Sequence, residues 1–498
     1  MNVNPITRLD YPDLDVIRVE DTYYMVSTTM HFMPGCEILQ SFDLVHWEHV
    51  NYVYETLDHT DAQQLKSGQN IYGQGMWAAS LRYHEGRFYV CFVANDTRKT
   101  YLYISEKIDG PWKKQLIEGF YHDGSLLFDE DGRNYIVYGN DEIWITELNE
   151  DLTAPKKDGL HRLLVSDHKN PKLGYEGSHI QKINGYYYIF LVHSLRDRWM
   201  RTEACFYSDS LEGEFTGGDV LCDDRGYCGQ GVAQGGIVDT PDGKWYAMLF
   251  QDSGAVGRIP ILLPVTWKDH FPFFGQNGHV PEEIEVHSTR PGYIYQPLVG
   301  SDDFCNGLLP RWQFNHDPDP RYYHLDALQG TYTITTREVC TELTQAVNTL
   351  TQRMSYPSCA AEVTVDASAL KEGDVAGLCA LQSCYAAVGI TKHHGKYEVL
   401  MLDKKEDGIL DMTEGTVVES HQMDFRLEAD FCNMKDEARC YYRVNKGDWL
   451  PIGNVHKLYF KLDHFTGCRF GLFCYAAEET GGSACFRDFK YYDVDEIS

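Results

Sequence analysis

Apolar and polar positions over the first 297 residues alternate in short runs, and one run recurs. "DVIRVEDTYYMVST" from Asp15, "ASLRYHEGRFYVCFVAND" from Ala79, "GSLLFDEDGRNYIVYGND" from Gly124, "GSHIQKINGYYYIFLVHS" from Gly177 and "GGIVDTPDGKWYAMLFQD" from Gly235 share one form. Each is an apolar strand, a polar turn and a second strand rich in Tyr, Phe, Val and Ile, which is a β-hairpin signature. Turn residues Asp21, Gly86, Gly132, Gly185 and Gly243 space the copies by 65, 46, 53 and 58 residues. Antiparallel repeats of this length predict a β-propeller with one blade per copy. The pattern therefore predicts an all-β chain that opens with a five-bladed propeller over residues 1–297.

The repeat also locates a site, because the first strand of each blade lines the axis and the residues just before it converge at one mouth. Nine residues before four of the turn glycines stand Trp77, Asp123, Glu176 and Gln234, and eight before Asp21 stands Asp13. A purely structural repeat would reuse one small or apolar residue here, whereas this ring carries three carboxylates. Inverting glycoside hydrolysis needs that set. One carboxylic acid protonates the leaving oxygen, and a carboxylate across the sugar, about 6.5–9.5 Å away, activates water. A third negative charge raises the pKa of the acid and orients it.

From His287, "HSTRPGYIYQPLVGSDDF" reads as an exit from the repeat and a linker. Beyond it, "YTITTREV" from Tyr332, "AAEVTVDAS" from Ala360, "RCYYRV" from Arg439 and "RFGLFCYA" from Arg469 alternate strand patterns with turns and lack the repeated phrase. They predict a β-sandwich over residues 301–498. A chain of 498 residues suits two such domains.

Composition narrows the partners. With 44 basic and 74 acidic side chains the net charge is -30, which repels nucleic acid and anionic membrane surfaces. The 34 Tyr and 9 Trp supply stacking platforms for sugars beside their ordinary work in the core. Fifteen scattered cysteines without a CxxC pair point to reduced thiols rather than disulfides or zinc. Together with an opening segment that lacks a signal-peptide pattern, they make a cytoplasmic protein the expectation. "CDDRGYCGQG" from Cys222 reads as a surface turn, and His31, His122 and His179 as structural histidines without metal-site spacing. Phosphate-cradling glycine loops are absent, so no redox cofactor is expected.

"YPDLDVIRVEDTYYMVST", "GMWAAS", "HDGSLLFDEDG", "GYEGSHIQKINGYYYI" and "GIVDTPDGKWYAMLF" with "GRIPILLPVTW" resemble, in order, the blocks of glycoside hydrolase family 43, the β-xylosidases and α-L-arabinofuranosidases. In the tail, "DDFCNGLLPRWQF" and "GLCALQS" resemble the concanavalin-like sandwich of the longer β-xylosidases. The resemblance implies Asp13 as general base, Asp123 as the residue that tunes pKa and orientation, and Glu176 as general acid. It further implies Trp77 and Arg258 as substrate contacts and, more loosely, Phe32 as a pocket wall. Two departures stand out. Leu14 replaces a proline, which leaves Asp15 as a second candidate base, and Gln234 stands where many members carry a histidine near an axial calcium, so a calcium ion in the channel is put in doubt.

The expected activity is an inverting exo-glycosidase that releases terminal xylose from xylo-oligosaccharides or arabinoxylan fragments. An α-L-arabinofuranosidase, or one pocket serving both sugars, is the near alternative. A noncatalytic carbohydrate-binding propeller and a retaining fructan hydrolase are the rivals from other classes. For the sandwich the expectation is a cap over the site that enforces exo cleavage, with polysaccharide binding or assembly into a homo-oligomer as other roles.

Overall fold

The computed structural model describes residues 2–493. Five four-stranded antiparallel sheets follow one another along the chain. Blade I holds Asp15–Val19, Thr22–Ser27, Gly35–Ser41 and Glu48–Tyr54; blade II holds Met76–His84, Arg87–Ala94, Lys99–Ser105 and Lys113–Ile117. Blade III holds Ser125–Phe128, Asn134–Asn140, Glu142–Leu148 and His161–Ser166; blade IV holds Glu176–Ile183, Tyr186–Ser194, Arg201–Ser208 and Thr216–Leu221. Blade V holds Val232–Asp239, Trp245–Asp252, Arg258–Lys268 and Phe271–Phe274. The hairpin turns are those expected from the repeat. Glu85–Gly86 and Asn184–Gly185 have positive φ at both central residues, the turn whose twist matches its flanking strands.

Inner strands of successive blades touch in ring order, and blade V meets blade I. Among the described residues no strand is exchanged between these two blades; instead Asn2–Val3 pairs with Glu283–Ile284. The Asn4 side chain reinforces the seam by donating to the carbonyls of Leu262 and Pro281 and accepting from the Leu262 amide. Leu14, at the position where a proline was expected, is fully buried in the core that blades I and V share.

The second domain is a sandwich of two sheets. Seven strands, ordered Tyr323–Asp326, Thr331–Thr335, Ser483–Asp493, Ser358–Asp366, Gln422–Asp430, Glu437–Arg443 and Leu450–Lys457, face a nine-stranded sheet. The last strand of that larger sheet belongs to the propeller. Phe32–Met33, in the loop after the first hairpin of blade I, pairs with Gln313–Asn315 of the sandwich. This corrects the expectation for Phe32. Its ring is fully buried under the Arg469 guanidinium, 3.5 Å from the ring centroid, and walls no pocket, because the sandwich captures the loop that carries it.

Further contacts join the domains. Ala255 and Val256, in the turn before the third strand of blade V, are buried in the sandwich core. Glu37 of blade I and Arg353 of the sandwich form a buried ion pair at 2.7 Å. Burial works to raise the Glu37 carboxyl, but Arg353 and His49 prevail and hold it at about 2. Its stabilising share is thus present above the ordinary glutamate value and is lost as pH falls toward 2. His31 lies at the same interface, in tilted and edge-on contact with the rings of Phe32, Tyr72, His316 and His464, and burial holds its pKa well below the ordinary histidine value. The domains therefore form one cooperative structure. Arg353→Met, which strands the Glu37 carboxylate, is expected to cost about 3–5 kcal/mol in denaturant titration. The same measurement on residues 1–300 alone is expected to find no folded baseline.

Candidate active site

Four of the five blades bring the inner strand to the axis through a residue with left-handed backbone. Asp13 (φ 51°) and Asp123 (φ 48°) are two of these, and aspartate is among the L-residues that tolerate the conformation. Gly177 (φ 66°) follows Glu176, and Gln234 (φ 67°) opens blade V. The bend converges the side chains on a cavity of 220 Å³, below the range of drug-sized pockets and on the scale of a single sugar ring. Asp13, Trp77, Asp123, Glu176, Gln234 and Arg258 all line it, so the structure brings together every residue of the predicted ring.

Each carboxylate has its own surroundings. Asp13 is buried and meets donors on both oxygens: Arg258 Nη1 at 2.9 Å on Oδ1 and the Thr28 hydroxyl at 2.8 Å on Oδ2. Asp123 accepts from the Gly177 amide at 2.9 Å, so the residue after Glu176 is tied to its neighbouring blade. Burial, with the charges of Glu176 and Asp13, pushes the Asp123 carboxyl up to about 6 against the pull of His122. Glu176 accepts from Asn140 Nδ2 at 2.8 Å on Oε2, and His122 Nε2 lies 3.6 Å from the same oxygen. Asp15 is elsewhere: fully buried, it takes Arg82 at 2.7 Å, the Leu81 amide at 2.8 Å and His179 at 3.1 Å. That placement removes it from the pocket and leaves Asp13 as the carboxylate at the blade I mouth.

His122 and Asn140 are two lining residues that sequence reasoning passed over. His122 was read as structural, yet it lines the cavity, with Nε2 3.5 Å from Asp123 Oδ2. Burial lowers its ring, but the two carboxylates outweigh that and raise it to about 9. Its position next to Asp123 in "HDG" was the available signal. Asn140 ends the second strand of blade III and no repeat position marks it. Arg201, also in the lining, is paired with Asp252 at 2.8 Å.

The sandwich supplies the remaining wall. Leu462 and Phe465, from the 458–468 loop, complete the lining. The Phe465 ring lies 5.6 Å from Trp77 and 4.5 Å from the Arg258 guanidinium. Below the cavity, Arg82 reaches across the channel between the inner strands. It donates to Asp15, Ser125 Oγ and the carbonyls of Leu81, Leu126 and Ile180, oxygens from four blades. Calcium takes six to eight oxygen ligands. The channel oxygens already hold a guanidinium, and the cluster above them, His122, Asp123 and Glu176 within 4.8 Å, offers a ring nitrogen and two carboxylates, well short of that oxygen shell. Neither set fits calcium.

A propeller that gathers carboxylates and one aromatic wall around a sugar-sized cavity is the framework of a glycoside hydrolase. The chain belongs to glycosyl hydrolases family 43, whose model matches residues 3–272, and residues 301–492 match the β-xylosidase C-terminal concanavalin A-like domain. A β-xylosidase of Formosa agariphila is 26% identical over 99% of this chain and 89% of its own length. A non-reducing end α-L-arabinofuranosidase of Bacteroides ovatus is 24% identical over 82% and 79%. Among solved structures, a bifunctional family 43 protein with a second CE part from Bacteroides eggerthii superposes with TM-score 0.93 at 42% identity; it matches all of this chain, which spans 64% of that one.

The pair Asp123 and His122 sets a pH expectation. Below about 6 Asp123 is protonated, and above it the carboxylate is available to its neighbours. His122→Asn removes the cation that lowers it, so the acidic limb of kcat/KM should move to higher pH by about 1 unit. A pH–rate profile of wild type and variant reads this directly; an unmoved limb would assign that limb to another group.

Proposed function

We propose that the protein is an inverting exo-glycosidase that releases terminal xylose from the nonreducing ends of xylo-oligosaccharides or arabinoxylan fragments, with α-L-arabinofuranose as the near alternative. One observation carries the reading: Asp13, gripped by Arg258 and Thr28 on blade I, and Glu176, on blade IV, address one small cavity closed on one side by the sandwich. The two carboxylates thus reach the cavity from different blades, the arrangement in which an acid and a base can stand on opposite sides of a sugar.

Sugar ring packing against Trp77 and Phe465 fills the cavity. Glu176 gives its proton to the glycosidic oxygen as the bond to the anomeric carbon breaks. Asp13 takes a proton from a water that attacks the opposite face, and the released sugar leaves with inverted configuration. Asp123 holds the Glu176 segment through the Gly177 amide, and its charge favours the protonated acid. Arg258 serves chiefly Asp13, so its part is to orient the base rather than to grasp substrate alone. No calcium takes part in this scheme.

Both pentoses present comparable hydroxyls, and the names of the relatives divide between them. Xylose is placed first because the sandwich matches the β-xylosidase type. Cysteines without disulfides, ten of them buried, support the expectation of a reducing compartment.

The roles separate by leaving group. Glu176→Gln should cut kcat/KM on xylobiose by about 10²–10⁴-fold while sparing a 2,4-dinitrophenyl xyloside, which departs without a proton. Asp13→Asn should abolish hydrolysis of both, and proton NMR of the wild-type reaction should show the α-anomer of xylose forming first from a β-linked substrate. Equal losses for Glu176→Gln on the two substrates would reject it as the acid. In a separate assay, EDTA treatment is expected to leave kcat unchanged, and a loss restored by calcium would overturn the metal-free scheme.

A further inference from the structure

The roof over the cavity is one-sided. The 458–468 loop lies over Gly73, where an added Cβ would come within 2.6 Å of the Leu462 carbonyl, and over Trp77 and Arg258 through Phe465. Those contacts belong to the chain leading into blade II, to blade II and to blade V. Among the described residues nothing comparable covers blades III and IV, where Asn140 is exposed while donating to Glu176. The mouth therefore opens beside the acid.

In blade IV the hairpin between the second and third strands ends at this same mouth, since Glu176 pairs with Val192 and Ser194 with Arg201. It carries Trp199, the one exposed tryptophan among the described residues, at 46%. One face of its indole rests on the Arg201 guanidinium, 5.5 Å away, and Arg201 lines the cavity. The hairpin is also fixed from the side. Arg196 is paired with Asp167 and donates to the Lys169 carbonyl, and Asn170 donates to the Ser194 carbonyl, so the loop is tied to blade III. An aromatic plane held rigid at low entropic cost is what a sugar-binding platform needs.

We propose that Trp199 is the platform for the leaving-group sugar, the unit on the far side of the bond being cut, and thereby a determinant of leaving-group specificity. This rests on Glu176 being the acid, because the oxygen that receives its proton belongs to the leaving group, which must then emerge over blades III and IV. A second sugar ring attached at that oxygen meets the free face of Trp199 as it leaves the cavity. The stacked ring contributes binding only when such a ring is present.

The test uses two substrates that release the same pentose from different leaving groups: methyl β-D-xyloside and xylobiose, or, should arabinose be the sugar released, methyl α-L-arabinofuranoside and an arabinosyl xylobiose. Trp199→Ala is expected to lower kcat/KM on the oligosaccharide about 10-fold, mostly through KM, and to leave the methyl glycoside unchanged. Trp199→Phe, which keeps a ring in place, should recover most of the loss. Equal loss on both substrates, or no loss on either, would overturn the assignment while leaving the glycosidase reading intact. A wild type that cleaves neither member of either pair would instead sink the glycosidase reading, and the subsite with it.

Discussion

Asp10 is the fastening on which the rest depends. One of its carboxylate oxygens accepts the Arg258 amide at 2.7 Å and the other accepts the Gly467 amide at 2.7 Å, while its carbonyl takes Arg353 Nε. A single buried residue thus fixes, through its side chain, the arginine that grips Asp13 and the sandwich loop that carries Phe465, and, through its carbonyl, the arginine that pairs with Glu37. The fit leaves no slack: a Cβ on Gly257 would fall 2.3 Å from Asp10 Oδ1, and one on Gly467 2.7 Å from Asp10 Cβ. The two domains share this group directly behind Arg258 and Phe465, which line the cavity, so the sandwich belongs to the site as much as to the scaffold.

Charge is distributed so that similar groups behave differently. Three carboxylates converge on a cavity that also receives Arg258, His122 and Arg201, and each cation has a distinct claim. Arg258 is spent on Asp13, Arg201 on Asp252, and His122 stands between Asp123 and Glu176. Pairs of titratable groups with unlike environments are how one site performs acid and base chemistry at one pH. Beneath them Arg82 neutralises Asp15 and closes the channel with hydrogen bonds to blades I, III and IV, so the floor is a fixed guanidinium network.

Local pattern made the propeller legible. The hairpin phrase needs only period-two alternation and a turn, both written in adjacent residues, and the ring of entrance positions followed from counting back along it. Asp13, Asp123, Glu176 and Trp77 were reachable that way. Phe32 was misplaced because its fate is set by a strand at Gln313–Asn315, almost 300 residues away, which no local pattern announces. Leu462, Phe465 and Asp10 were missed for the same reason: their importance lies in contacts across a domain boundary. His122 was discounted because a lone histidine is ordinarily structural, and only the proximity of two carboxylates marks it otherwise.

The geometry of the ring rests on backbone more than on rotamers. A left-handed residue costs an L-amino acid about 1–2 kcal/mol, less for aspartate, and Asp13 and Asp123 meet that demand with the residue type that the chemistry also wants. Gln234 does not, and there the structure supplies compensation: its backbone amide donates at 2.7 Å to Glu203, a fully buried carboxyl that burial pushes well above the ordinary value. Gln234 in turn packs against Gly177, where a Cβ would approach its side chain to 2.8 Å. Gly177 is the residue whose amide Asp123 holds and whose predecessor is Glu176. The orientation of the acid is thus set by main-chain conformation propagated around the ring from blade V to blade III, which explains why a carboxylate can open an otherwise apolar strand at Glu176 and remain aimed at the axis.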